Sequence, residues 1–239
     1  MVETRRAFHE ELSQLTTDTV RLAVMARRAI HSGTRALLEL DLEAVSAVID
    51  DDRQIDELTD SIEERAFDVL ARQSPAAGDL RTLMTTIRGI HELERIGDHM
   101  VKIAKAARRL YPRAIEIEFA SVIERMGLQA MEQLSLATEA FSERDVARAK
   151  TLADMDDVMD ELQRELYRAI FAAGAKDDGQ LQRAVQIALV GRFYERMADH
   201  SVNFGERVEF MVTGHFLEHA QQPHAVAVPD ERPDDAPGA

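Results

Sequence analysis

The stretch ELDLEAVSAVIDDDRQIDEL, residues 39–58, is written again as ERDVARAKTLADMDDVMDEL at 143–162. At this offset of 104 residues Asp41 meets Asp145, Asp50 meets Asp154, Asp52 meets Asp156, and both copies close on Asp-Glu-Leu. A second echo follows each: ERIGDHMVKIAK from Glu94 and ERMADHSVNFGE from Glu195, offset by 101 because the second intervening loop is three residues shorter. Self-similarity at a fixed spacing marks one supersecondary unit built twice. Whatever fold one copy adopts, the other must share.

The periodicity within each copy is helical. Phe8, Leu15, Leu22, Ala29 and Ala36 fall seven apart, with Leu12, Thr19, Ala26, Gly33 and Leu40 as a companion row,. A second helix is expected from about Asp41, a plausible N-cap, carrying Val48, Ile55, Ile62 and Val69 at the same spacing,. Pro75 and Gly78 break the pattern; a third helix runs from about Leu80 to Tyr111 and ends at Pro112,. The cycle then repeats, with helices over roughly 115–141, 143–173 and 180–212 and a break at GAKDDG (174–179). Hardly any segment alternates with period two. The expected fold is therefore all-α: two pseudo-symmetric three-helix bundles, six helices, with repeats at 1–112 and 113–214. Residues 215–239 hold four prolines, no helical rhythm and an acidic end, and are expected to form a disordered tail,.

Charge and composition narrow the function. With 44 acidic against 29 basic residues the net charge is −15, which disfavours a nucleic-acid binder, since phosphate contacts need a basic face. The one basic cluster, Lys102, Lys105, Arg108 and Arg109, sits where it would favourably meet a helix C-terminus,. Cysteine is absent, removing disulfides, thiolate metal sites and cysteine nucleophiles,. No stretch approaches the roughly 20 apolar residues of a membrane span, and the start MVETRRAFHEEL lacks the apolar region of a signal peptide,. A cytoplasmic location is expected.

The carboxylates are placed badly for a plain helix. Glu94 and Asp98 share one face at i, i+4, a like-charge spacing that costs a few tenths of a kcal/mol,. Glu94 interrupts the row Leu80, Ile87, Val101; Glu195 interrupts Leu181, Ala188, Val202 in the second copy. An acid in an apolar row must be paired, hydrogen-bonded, protonated or bound to a cation. The preceding helix of each copy carries a matching pair, Asp52 with Asp56 and Asp156 with Asp160, about 40–100° from its apolar row,. Antiparallel packing would let the pairs face one another. Oxygen donors in that number suit one or more hard or borderline cations, while salt bridges to Arg95 and Arg196 are an alternative outlet for the charge. His99 and His200 follow the aspartates about 100° around the helix and fit packing better than ligation. Gly97 and Ala198, between the acids, would let a neighbouring helix approach or leave room for ions and water.

Sharper motifs are missing. No histidine has a glutamate three residues before it, and His-Glu-x-x-His does not occur,. DDDRQI lacks the glycine of a calcium loop, and GAKDDG has acids where a phosphate loop needs lysine and a hydroxyl,.

ELERIGDHMVKIAK, FYERMADHSVNFGE, the Asp-x-x-x-Asp segment before each, and the six-helix length together resemble the PhoU family, phosphate-specific transport accessory and regulatory proteins. The resemblance spans about residues 5–214, and the segment 191–214 is most like actinobacterial members. It implies metal ions held by Asp52, Asp56, Glu94 and Asp98 in the first half and by Asp156, Asp160, Glu195 and Asp199 in the second. The expected cofactors are divalent or trivalent metal ions, of identity open among Fe, Zn, Mn, Mg and Ni. It also implies a negative regulator of the phosphate-starvation response, coupling the ATPase subunit of the phosphate ABC transporter to a sensor histidine kinase. A homodimer reaching the membrane only through partners is the expected assembly. Two other functions fit the residues alone: a hydrolase using a carboxylate-bridged metal pair to activate water, and a helical scaffold whose acids form salt bridges.

Overall fold

The computed structural model describes residues 2–73, 75 and 77–215. The expected tail lies outside the described residues from 216 onward. Among the described residues seven helices are seen: α1 Val2–Glu39, α2 Leu42–Arg72, α3 Ala77–Leu110, α4 Ile117–Glu143, α5 Val146–Lys150, α6 Leu152–Ala173 and α7 Asp178–Thr213. No strand occurs among the described residues.

The apolar rows read from the sequence become the core. Phe8, Leu15, Leu22 and Ala36 of α1 and Val48, Ile55, Ile62 and Val69 of α2 are all buried, each large aliphatic or aromatic side chain contributing about 1.5–3 kcal/mol. The turn between α1 and α2 recurs between α4 and α5. Leu40 (φ 52°) and Arg144 (φ 55°) both adopt left-handed backbone, and the next aspartate caps the following helix. Asp41 accepts from the Glu43 and Ala44 amides, both at 3.0 Å, and Asp145 accepts from the Arg148 amide at 3.0 Å.

The fifth expected helix is in two pieces. The N–H and the hydroxyl of Thr151 both turn back to the Arg148 carbonyl, at 3.2 and 2.9 Å. Such back-bonding competes with the helical ladder. The counterpart in α2 is Ala47, which has no hydroxyl, and α2 runs unbroken.

Helices α1, α2 and α3 pack on one another, as do α4, α6 and α7, with α5 against α4 and α7. The most extensive pairing joins the two sets: α3 lies antiparallel to α7, while α1 crosses α4. Arg81 and Thr85 donate to the carbonyls of Met211 and Arg207 at one end of this seam, and Arg183 donates to Leu110 at the other. Gly89 admits the ring of Phe204: a Cβ there would stand 2.5 Å from Phe204 Cε2. Tyr194 of α7, fully buried, meets Thr34 of α1 at 2.7 Å.

Candidate metal centre

In the first half, α2 and α3 run antiparallel, and Asp52 lies directly over Gly97. A Cβ at that position would stand 2.7 Å from Asp52 Oδ1 and 3.1 Å from Ile55 Cδ1, so glycine is what lets the carboxylate rest on α3. Burial pushes the Asp52 carboxyl up to about 6, helped by the charges of Asp56, Asp98 and Glu94 and opposed by Lys105. Asp56 is raised by burial and then by Asp98; Glu94 is raised by burial and then by Asp98. The fold thus brings the four acids within electrostatic reach of one another. Lys102 stands 3.8 Å from Asp98.

The second half repeats the arrangement on α6 and α7, deeper in the protein. Glu195 is only 9% exposed, and burial, reinforced by Asp199, pushes it up to about 7 against the pull of Arg192 and Arg196. Burial, Asp199 and Asp160 raise Asp156 to about 6. Asp199 is raised chiefly by burial, with Arg196 and Arg192 opposing. Arginines take part of the charge: Arg192 pairs with Glu195, Arg196 with Asp199 at 3.5 Å and Arg164 with Asp160 at 3.9 Å. The salt-bridge outlet expected at Arg196 is therefore present, whereas Arg95 acts on Glu94 only at a distance.

Among the described residues no three Asp, Glu or His side chains are gathered tightly enough to encircle one ion. Two oxygens nevertheless remain unsatisfied: Asp156 Oδ1 and Glu195 Oε2 are buried without a hydrogen-bond partner. Buried orphaned oxygens beside further carboxylates are the chemistry a hard cation satisfies. The donor set fits such an ion.

The rows through the two glutamates are less apolar in place than on paper. Leu80 is 39% and Leu181 53% exposed, while Ile87 and Val101 are buried. A seven-residue row drifts by about 20° per heptad around a straight helix, so its N-terminal end rotates out of the core.

The histidines belong to the seam. His99 stacks on His200 at 5.3 Å and on Phe193 at 5.8 Å, and burial, reinforced by Lys102, pushes its pKa down to about 3. His200 Nδ1 lies 2.9 Å from Glu92, which also accepts from Arg207. At the 101-residue offset Glu92 corresponds to Phe193 and Arg207 to Ala106, so the seam is polar at one end and aromatic at the other. Sequence reasoning missed Glu92 and Arg207, because their partners lie across the two halves. It also missed Gln133, which interrupts the buried stripe Met126, Ala130, Leu134, Ala137 of α4; that interruption was the available signal.

The PhoU domain matches residues 19–107 and 123–208. The chain is 37% identical over 213 residues to the phosphate-specific transport system accessory protein PhoU homolog 2 of Mycobacterium tuberculosis, covering 89% of this chain and 99% of that protein. It is likewise 37% identical over 215 residues to PhoU homolog 1 of Mycobacterium leprae, covering 90% and 96%. The crystal structure of PhoU from Pseudomonas aeruginosa superposes with a TM-score of 0.82 at 26% identity, covering 87% of this chain and all of that one. The phosphate transport system regulatory protein PhoU of Streptococcus pneumoniae gives a TM-score of 0.80 at 26% identity, covering 88% and 99%.

Proposed function

Because the chain belongs to the PhoU family, we propose that it is a regulatory accessory of phosphate transport and not an enzyme. The observation that carries this reading is the match of one domain to both halves on a shared fold. Under it, the protein reports the state of the phosphate ABC transporter, through the ATPase subunit, to a sensor histidine kinase, and so keeps phosphate-acquisition genes low when phosphate is plentiful. No helix among the described residues is long and apolar enough to cross a membrane. On this reading the protein works in the cytoplasm and meets the membrane only through these partners. A homodimer is the assembly to test first, by light scattering.

Asp52, Asp56, Glu94 and Asp98 would hold a cation in one half, and Asp156, Asp160, Glu195 and Asp199 in the other. A divalent or trivalent ion of Fe, Zn, Mn, Mg or Ni supplies positive charge where these carboxylates repel one another. The chain's own residues do the rest. Gly97 seats Asp52 on α3, the arginines of α7 limit the excess negative charge of the second cluster, and the α3–α7 seam joins the two. An adaptor of this kind acts by binding two states of its partner with different affinity; the clusters set how firmly α2 and α6 are held in the partner-competent packing.

Deleting the gene should raise phosphate-acquisition transcripts in phosphate-rich medium, and restoring it should return them to the repressed level. Unchanged phosphate control in a strain with no second copy would sink the regulatory reading. The Glu94→Ala, Asp98→Ala double variant separates adaptor from enzyme: repression lost while kinase-fragment binding is fully retained would argue for catalysis.

A further inference from the structure

The second carboxylate cluster has a neighbour that the first lacks. Gln133 of α4 is fully buried, and neither its Oε1 nor its Nε2 has a hydrogen-bond partner. Leaving a buried amide unsatisfied is costly, whereas an apolar side chain of the same shape would be near neutral. Gln133 lies against Asp156, close enough for its amide to oppose the rise in that carboxyl's pKa. Yet Asp156 Oδ1 is itself buried and unpartnered. A donor and an acceptor thus stand side by side without closing the bond. One turn earlier Gln129 donates to the Met155 carbonyl at 2.8 Å, fastening α4 to the residue before Asp156.

The arrangement is not a requirement of the repeat. At the 104-residue offset Gln133 corresponds to Ala29 and Gln129 to Met25. There the first half has a recess of about 270 Å³, lined by Met25, Ala29, Val48, Asp51 and Ile55 among others. Here α1 faces α2 with Met25 and Ala29 in place of the two amides of α4.

We propose that Gln133 is a positioning residue of the second cation site: its amide holds the Asp156 carboxylate that shares the ion with Asp160, Glu195 and Asp199, so that the two halves bind cations unequally. This rests on the reading of the carboxylate clusters as cation sites. Partners of metal-ligating carboxylates commonly contribute 10–100-fold to affinity, and a neutral amide can do so without adding negative charge.

The test uses the full-length protein carrying Asp52→Asn and Asp98→Asn, which silence the first cluster, freed of metal with chelator. Mn²⁺ and Zn²⁺ are titrated calorimetrically, and the metal-free melting temperature is measured beside them. Gln133→Leu is expected to weaken binding about tenfold or more while leaving the metal-free melting temperature unchanged or higher. Gln133→Met, a second apolar replacement, should show the same split if leucine packs poorly. Adding Gln133→Leu to Asp156→Asn should cause no further loss, since the amide acts through that carboxylate. Unchanged affinity in both Gln133 variants, with altered melting, would make Gln133 structural and overturn the inference alone. Failure of the parent and of the wild type to bind either ion would overturn the cluster reading, and this inference with it.

Discussion

Glu195 is a carboxylic acid held where water barely reaches it, next to another acid, and its proton is correspondingly hard to remove. A carboxyl raised to about 7 in the folded chain, against about 4.3 unfolded, binds more protons folded than unfolded between those values. The stability it contributes is therefore present at low pH and lost as pH rises through 7. Glu195→Gln, neutral at every pH, should gain in melting temperature relative to metal-free wild type between about pH 4.5 and 7, with the difference flat above that. A constant difference across the range would refute the assignment, and saturating cation should shrink it in the wild type. Gly97→Ala asks a complementary question. Alanine improves helix propensity by about 1 kcal/mol, but its Cβ would press on Asp52 Oδ1. Net stability should change by less than about 1 kcal/mol, while cation affinity of the first half falls; calorimetric titration with Mn²⁺ measures this. All eight acids were legible as acids out of place, because spacing by four and by seven survives from sequence to helix. Their relative depth was not: only packing makes Glu195 buried and leaves Asp56 exposed.

Helix ends carry a different kind of information. Asp41 satisfies two amides at the start of α2, so Asp41→Ala should cost about 1 kcal/mol in chemical denaturation, with Asp41→Asn close to wild type. An unchanged midpoint in the alanine variant would show the cap to be dispensable. The aspartates at 41 and 145 were readable as caps because capping is a local chemistry. The left-handed residues before them were not, since Leu40 and Arg144 are neither glycine nor asparagine, the residues that usually mark that conformation,. The break at Thr151 also escaped the heptad pattern, which registers side-chain faces and is blind to a hydroxyl diverted to its own backbone.

At the scale of the molecule, the seam between α3 and α7 decides how the halves communicate. Glu92 is partly buried, which raises its pKa, but hydrogen bonds from His200 and Arg207 more than offset this and lower it overall. Its contribution is thus present above the ordinary carboxylate range and lost as pH falls through its lowered value. Glu92→Ala should destabilise the chain by about 2 kcal/mol at neutral pH, and the deficit relative to wild type should shrink in acid. A deficit independent of pH would point to lost packing alone. The pairing of α3 with α7 was beyond the sequence: its contacts join residues from 73 to 130 positions apart, whereas heptads and caps reach only a few turns. Yet the repeat already implied two equivalent surfaces, and those surfaces meet around His99 and His200. Two separate identical subunits meeting this way would be bound by self-complementarity, each residue serving at both ends of the contact. A glutamate suited to His200 would then also be forced against His99, in place of Phe193. Joining the units in one chain removes that obligation, and the linker holds them at an effective concentration on the order of millimolar. Each end of the contact is then free to specialise, so one substitution can retune one half while its twin stays as it was.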